Sequence, residues 1–235
     1  MASEIEVRKL VKSFGLKPVL RGLDFLVEGG EFVAVLGPNG AGKTTFLRIL
    51  ASLSRPGMGD VRVAGYRLPQ QAAALRGALG VVSHQPLLYG DLTAAENLRF
   101  FGRMYGLSGL DDRIAEVLKM VGLAARARDL VREFSRGMQQ RLAIGRAVLH
   151  DPRVMLFDEP YTGLDPEAAA MLDGLLLEVA ARGRTVVMTS HDLARASVLA
   201  TRVDVLARGV IAASVRRGQF DTGQLQELYR TVTHV

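Results

Sequence analysis

The sequence predicts an α/β fold with a mostly parallel sheet, and two observations carry this prediction. Short β-rich runs alternate with longer helical patterns, which is typical of parallel strands joined by crossover helices. Between Tyr89 and His150 no convincing strand pattern occurs, so an all-helical subdomain is expected inside the sheet domain. We therefore expect a single domain with its core at residues 1–88 and 150–215, a helical subdomain at 89–149 and a tail at 216–235.

The expected elements follow from hydrophobic period and turn residues. The expected strands are Ile5–Lys9, Leu23–Val27, Phe32–Leu36, Val61–Val63, Gly80–Ser83, Val154–Phe157, Thr185–Thr189 and a hairpin over Arg202–Val215 that turns at Gly209. The expected helices of the insert are Thr93–Tyr105, Asp112–Val121 and Ser135–Leu149. A short helical pattern also occurs in the tail, in TGQLQELYR.

Composition limits the classes of function. Apolar residues make up 49% of the 235 residues, which is typical of a globular protein. There is no cysteine, which excludes disulfides and thiolate metal sites. The N-terminal segment lacks the apolar stretch of a signal peptide, and no run of eighteen apolar residues occurs, so the chain is not expected to span a bilayer alone. The net charge of +6 fits nucleic acid, an anionic membrane surface, phosphate ligands or a genomic preference for arginine.

A phosphate-binding loop is the strongest motif. The buried strand Phe32–Leu36 runs into GPNGAGKTT and then into a helical pattern, which is the strand–GxxxxGK[ST]–helix arrangement. Backbone N–H groups and the helix N-terminus attract phosphates in such a loop, Lys43 reaches the β- and γ-phosphates, and the Thr44 hydroxyl binds Mg²⁺. The expected ATP-binding residues here are Gly37, Asn39, Gly40, Ala41, Gly42, Lys43, Thr44 and Thr45.

Two carboxylates end the apolar strand in RVMLFDEP. Asp158 fits a second Mg²⁺ anchor, and Glu159 is placed to polarise an attacking water as a general base. His191 ends another buried strand, and the carboxyl ends of parallel strands share one edge, where ligands bind. We expect His191 to contact the γ-phosphate or the water.

Two further candidates depend on this context. Gln85 follows a strand at the same edge and is a candidate catalytic residue and Mg²⁺ ligand, whereas the neighbouring His84 is expected to be solvated or structural. Phe14 lies next to a glycine near the N-terminus, and it fits either core packing or a face for adenine stacking.

A second anion site is predicted at EFSRGMQQR. Ser135 can cap a helix, and the N–H groups of Arg136, Gly137 and Met138 are then expected to be unsatisfied and to point outward. The phosphate loop already encloses one nucleotide, so this helix end is expected to serve the nucleotide of a second copy. Arg136, Arg141 and Arg146 are five residues apart and form no single basic stripe, which argues against a helix that tracks nucleic acid.

These residues together resemble the ATP-binding subunit of ABC transporters. The resemblance covers about Ile5 to Val215 and rests on Phe14, GPNGAGKTT, Gln85, FSRGMQQR, VMLFDEP, TGLD and His191 in this order. It implies a P-loop NTPase (RecA-like) core with an N-terminal antiparallel β subdomain and an inserted all-helical subdomain.

The resemblance also implies partners and a location. It implies a head-to-tail dimer of two identical subunits that closes on two ATP molecules, with the loop Gly163, Leu164 and Asp165 at the dimer interface. It implies polytopic membrane subunits that hold the chain at the cytoplasmic face, and no nucleic acid. The candidate apolar docking groove consists of Leu87, Leu88, Tyr89, Phe100, Phe101 and Tyr105.

Two positions depart from the family signature. Arg136 replaces a glycine, and Met138 replaces a glutamine that can reach the sugar; one lost polar contact costs on the order of 1 kcal/mol.

FSRGMQQR and the residues around Gln85 look particularly similar to the ATPase subunit of the haem exporters of cytochrome c maturation. The alternatives are another exporter ATPase (for drug, lipid or polysaccharide), a soluble ABC ATPase acting on ribosomes or DNA, and a P-loop kinase, which leaves FSRGM and TGLD unexplained.

Overall fold

The computed structural model describes residues 3–83, 85–219 and 221–233. His84, expected to be solvated or structural, lies outside these ranges. Two sheets form the α/β fold, one of six mostly parallel strands and one of four antiparallel strands. The predicted fold class is confirmed.

The six-stranded sheet has the order β10-β9-β3-β8-β7-β6. All neighbouring pairs from β9 to β6 are parallel, and only β10 runs antiparallel to β9. β3, β7 and β8 are buried at every position, as continuous apolar runs with both faces covered should be. The strands are β3 Phe32–Leu36, β6 Leu79–Val82, β7 Val154–Asp158, β8 Thr185–Ser190, β9 Arg202–Ala207 and β10 Val210–Arg216.

The four-stranded sheet has the order β2-β1-β4-β5. Its strands are β1 Ser3–Phe14, β2 Lys17–Glu28, β4 Met58–Val63 and β5 Tyr66–Leu68. β1 and β2 are each much longer than predicted, because antiparallel pairing with each other continues through polar residues as far as Phe14 and Lys17. β5 was not predicted, since three residues are too few to show a period of two.

The helices of the insert agree with the predicted ones within two residues. Thr93 caps α3 in a full capping box with Glu96, and Ser135 caps α5. Asp165 and Pro166 start α6 as N-cap and first helical residue, as the sequence indicated. The helices are α1 Lys43–Leu50, α2 Ala72–Leu75, α3 Ala94–Met104, α4 Leu110–Met120, α5 Arg136–Val148, α6 Pro166–Ala181, α7 Leu193–Leu199 and α8 Thr222–Thr233.

Two apolar clusters lie on opposite faces of the six-stranded sheet. One cluster joins the sheet to the α3–α5 insert, α6 and α7, and the other joins it to α1 and the antiparallel sheet. The carboxyl ends of β3, β7 and β8 therefore share an edge between the two layers, where polar side chains can converge. In the described residues no helix is long and apolar enough to cross a membrane.

Candidate functional site

The loop after β3 requires glycine at two positions. A Cβ on Gly37 would lie 2.3 Å from the carbonyl oxygen of Leu206 on β9, so no side chain fits there. Gly42 has φ 109° as the N-cap of α1, a conformation that favours glycine. The chain therefore turns tightly from β3 into α1 and presents the helix N-terminus at the sheet edge.

Lys43 is held at this edge by carbonyl oxygens of its own loop and by a carboxylate. Its side chain is 7% exposed, and its Nζ donates to the carbonyl oxygen of Gly37 at 2.6 Å. The same Nζ lies 3.4 Å from Oε1 of Glu159. Lys43 thus forms an ion pair with the carboxylate that follows β7.

Asp158 is a buried carboxylate with two hydroxyl partners. Thr44 Oγ1 donates to Asp158 Oδ1 at 3.2 Å, and Thr189 Oγ1 donates to the same oxygen at 2.7 Å. Thr189 was not among the predicted site residues. Its place directly opposite Asp158 in the β7–β8 register, two residues before His191, is the signal that would have found it.

Glu159 has an unusual backbone. Its φ is 49°, a value that non-glycine residues seldom adopt, and its N–H donates to both the carbonyl oxygen and Oγ1 of Thr189. His191 Nδ1 lies 2.8 Å from Glu159 Oε2, with the imidazole 70% exposed. The structure thus brings Glu159 and His191 together at one edge, at a position where the backbone is strained.

A cleft of about 540 Å³ opens over these groups. Phe14, 57% exposed, forms part of its wall. Gly37 and Ala41 were also predicted as binding residues, and both are buried within the phosphate loop. The cleft is lined by Phe14, Lys17, Val19, Pro38, Asn39, Gly40, Gly42, Lys43, Thr44, Thr45, Glu159, Thr162 and His191.

Gln85 is not joined to this cluster. Its side chain is exposed, and its backbone oxygen accepts a hydrogen bond from Ser83 Oγ at 2.6 Å. Within residues 3–83, 85–219 and 221–233, no hydrogen bond links the Gln85 amide to Thr44 or Asp158. The expected role of Gln85 as a metal ligand therefore stays a prediction.

The helix end at Ser135 differs from the prediction in one respect. Ser135 Oγ accepts from the N–H of Met138 at 3.3 Å, so this N–H has a partner within its own helix. The side chain of Met138 packs against the core of the insert. The expectation that the Met138 N–H is unsatisfied is therefore wrong, because the capping hydroxyl reaches the third residue of the helix.

The loop before α6 lies beside this helix end. Gly163 has φ 76°, and a Cβ there would lie 3.9 Å from Arg136 Nε. A Cβ on Gly137 would lie 2.8 Å from the Cβ of Ala168, so α5 and α6 approach closely where they begin. Asp165 Oδ1 caps α6 through the N–H of Ala168 at 2.7 Å.

Comparison with known proteins agrees with this geometry. The family model described as ABC transporter matches residues 20–162. The Nod factor export ATP-binding protein I of Paraburkholderia xenovorans is 41% identical over 207 residues, 87% of this chain and 68% of that protein. The linearmycin resistance ATP-binding protein LnrL of Bacillus subtilis is 36% identical over 211 residues, 89% of this chain and 68% of that protein.

Two solved structures share the fold over almost the whole chain. An ATP-binding subunit of an ABC transporter has a TM-score of 0.85 at 32% identity, and the match covers 97% of this chain and 98% of that one. A dimeric ATP-binding cassette in a post-hydrolysis state, bound to ADP and Pi, has a TM-score of 0.82 at 29% identity, covering 92% and 100%. The chain thus belongs to the ABC transporter family, in which it is an ATP-binding subunit with ATPase activity.

Proposed function

We propose that this chain binds MgATP in the cleft, shares it with a second copy, and drives export through separate membrane subunits. The observation that carries the proposal is the meeting of Lys43, Asp158, Glu159 and His191 at one sheet edge. These groups come from the start of α1, the end of β7 and the end of β8, and together they provide a phosphate-binding cation, a metal-binding carboxylate and a base.

Mg²⁺ fits the donors that are present. Thr44 Oγ1 and Asp158 Oδ1 are hard oxygen atoms 3.2 Å apart, and Mg²⁺ prefers one or two protein oxygens together with phosphates and waters. Thr189 orients the carboxylate from the other side. When bound, Mg²⁺ would neutralise charge on the β- and γ-phosphates. We assign Thr44 and Asp158 as its ligands, and Gln85 as a ligand only after its loop moves inward.

Catalysis is assigned to Glu159 and His191. The Glu159 carboxylate takes a proton from the attacking water, because it is placed beside Lys43 at the mouth of the phosphate loop. His191 Nδ1 holds Oε2 of Glu159 at 2.8 Å and so fixes the direction of the carboxylate. Lys43 and the loop amides stabilise the phosphate charge, and Phe14 supplies a face for adenine.

The second copy is proposed to complete the site. Ser135, Arg136 and Gly137 are absent from the residues that line the cleft, although a capped helix start favours anions. A head-to-tail dimer would place this helix end on the partner's nucleotide, with Gly163, Leu164 and Asp165 across the interface. The dimeric state of a structural neighbour supports this arrangement. Met138 is partly buried there, and Arg136 is the charged side chain at this helix end.

The membrane partner is proposed to dock on an apolar patch beside the Gln85 loop. Leu87, Tyr89, Phe100 and Tyr105 are 59%, 50%, 40% and 39% exposed, whereas Leu88 and Phe101 are partly buried. The rings of Tyr89 and Phe100 lie edge to face at 5.1 Å, which keeps the patch ordered. Such docking would hold the chain peripherally at the cytoplasmic face of the membrane.

The cargo is proposed from the relatives. Those reported above are named for Nod factor export and linearmycin resistance, so we propose export of a compound of comparable kind. These relatives do not support the narrower expectation of haem export in cytochrome c maturation.

The Glu159→Gln variant tests the shared-site proposal. Amide substitution keeps the size of the side chain but removes the base, so hydrolysis should fall by about 10²–10⁴-fold while ATP binding remains. Size-exclusion chromatography with MgATP should then show a stable dimer. As a control, Glu227→Gln removes the charge of an exposed carboxylate that pairs with Arg230 on α8, and this variant should hydrolyse ATP as the original chain does. A Glu159→Gln chain that stays monomeric with bound MgATP would refute the shared site.

A further inference from the structure

A cluster of three side chains connects the segment after Glu159 to the helix after His191. Tyr161 Oη donates to Asp173 Oδ1 at 2.7 Å, and Arg195 Nη1 is hydrogen-bonded to Asp173 Oδ2. The guanidinium of Arg195 also lies over the Tyr161 ring, 4.9 Å from its centroid. Both oxygens of the Asp173 carboxylate are thus used, one by each of the other two residues.

These three residues belong to three different segments of the chain. Tyr161 lies two residues after Glu159 and directly before the loop at 162–165, Asp173 lies in α6, and Arg195 lies in α7. Arg195 Nε also pairs with Asp192 Oδ2 at 3.2 Å, and Asp192 Oδ1 caps α7 through the N–H of Arg195 at 3.0 Å. The cluster therefore reaches the residue that immediately follows His191.

These contacts are partly buried, so they hold their side chains in place more firmly than solvent-exposed ion pairs do. The side chains of Arg195 and Asp173 are 26% and 31% exposed. Burial, together with the hydrogen bond to Asp173, raises the pKa of Tyr161 far above its usual range, so its hydroxyl remains a donor. A partly buried ring with a charge-assisted carboxylate partner holds its position better than two solvated side chains do.

We propose that Tyr161, Asp173 and Arg195 are positioning residues that hold His191 against Glu159 in the arrangement used for hydrolysis. None of the three lines the cleft, so they act through α7 and the Glu159 segment, not through nucleotide. The pairing of β7 with β8 fixes the strand ends, but His191 lies beyond the last pair of the register and is 70% exposed. The cluster therefore restricts the position of His191, which strand pairing no longer fixes.

This inference rests on the proposed roles of Glu159 and His191, and the Tyr161→Phe variant tests it. Removal of the hydroxyl keeps the ring under Arg195 but frees one oxygen of Asp173. The kcat for ATP should fall about fivefold, as expected for one lost hydrogen bond that positions a reacting group, while KM stays unchanged. Asp173→Asn should lower kcat in the same way by weakening the bond to Arg195.

Matched controls separate positioning from general stability. Tyr66→Phe changes the same group in β5, and Glu178→Gln breaks the exposed pair with Arg182 at 3.0 Å on the same helix as Asp173. Both controls should retain kcat, and melting temperatures would show whether each variant is folded. Equal losses of kcat in the controls and the cluster variants would overturn the proposal.

A readout without turnover keeps this test separate from the proposed function. The ¹H–¹⁵N imidazole correlation of His191, assigned through its loss in His191→Gln, should shift in Tyr161→Phe and remain in place in Tyr66→Phe. An unchanged His191 signal, or a shifted signal with unchanged kcat, would refute the positioning role. Full hydrolysis by Glu159→Gln would instead refute the catalytic assignment, and the imidazole result would still show whether the cluster holds His191.

Discussion

Arg146 Nη1 donates a hydrogen bond to the carbonyl oxygen of Leu87 at 2.8 Å, so α5 is fastened to the loop that follows Gln85. Arg146 Nη2 also donates to the carbonyl oxygen of Val81 at 3.1 Å, and the guanidinium lies 5.2 Å from the centroid of the Phe101 ring. Burial lowers the pKa of Arg146 from its usual value. α5 begins at the helix end that is proposed to face the partner. About three turns later, Arg146 of the same helix holds the loop that is proposed to dock on the membrane subunit.

The Arg146→Met variant should lose about 1.5–3 kcal/mol of stability, because the carbonyls of Leu87 and Val81 lose a charged donor. Urea unfolding followed by circular dichroism measures this loss. Arg126→Met removes a 64% exposed partner of Asp129 and should change stability by less than about 0.5 kcal/mol. Equal stability losses in the two variants would show that the Arg146 contacts do not contribute to the free energy of unfolding.

His150 should make stability depend on pH. Burial lowers its pKa from 6.5 to about 4, its ring stacks on Tyr105 at 3.9 Å, and its Nε2 lies 3.2 Å from the carbonyl oxygen of Leu79. The unfolded chain binds the proton first as pH falls below 6.5, so the stabilising contribution of neutral His150 is present above that pH and is lost toward pH 4. The loss between pH 7 and pH 5 should be about 2 kcal/mol.

The His150→Gln variant is the comparison for this pH dependence. Glutamine keeps a donor for the Leu79 carbonyl but does not titrate, so the unfolding free energy should fall less steeply between pH 7 and pH 5 than in the original chain. The difference between the two urea-unfolding series isolates His150 from other groups. Parallel pH curves would contradict the assignment.

Asp158→Asn should separate metal binding from nucleotide binding. The amide oxygen can still accept from Thr44 and Thr189, but the negative charge is lost, so MgATP affinity should fall at least about tenfold toward the value in EDTA. Lys43→Ala should weaken ATP binding both with and without Mg²⁺, because its charge acts on phosphate. Titration calorimetry with ATP, in MgCl₂ and in EDTA, checks both variants. A Mg²⁺ effect of full size in Asp158→Asn would exclude Asp158 as a ligand.

Gly37→Ala and Gly174→Ala should have opposite effects. The added methyl at Gly37 would lie 2.3 Å from the Leu206 carbonyl oxygen, so β3 and β9 must separate at a cost of about 1–3 kcal/mol. Gly174 is in the middle of α6 with nothing within 4 Å of an added Cβ, and alanine there should stabilise by about 0.5–1 kcal/mol. Urea unfolding of both variants measures the contrast, which a destabilised Gly174→Ala would contradict.

The predicted elements were most accurate where one local signal was sufficient. β3 matches its predicted range, and β7 and β8 are each one residue longer. Thr93, Ser135 and Asp165 cap the helices as the sequence indicated. The hairpin turns at Gly209, whose φ is 82°. In each case the determinant lies within a few residues, as an apolar run, a capping side chain or a glycine that tolerates φ > 0.

The sequence by itself determined the phosphate loop, the carboxylate pair at Asp158 and Glu159, and the α/β class, because backbone turns and apolar period are local properties. Only the tertiary structure decided which hydroxyls hold Asp158, that Met138 packs partly buried against the core, and that the Gln85 side chain is exposed. Only it showed Tyr161, Asp173 and Arg195 as one cluster. The residues in these contacts are far apart in the sequence. The distances between their side chains are set by strand register and helix packing and not by the neighbouring sequence.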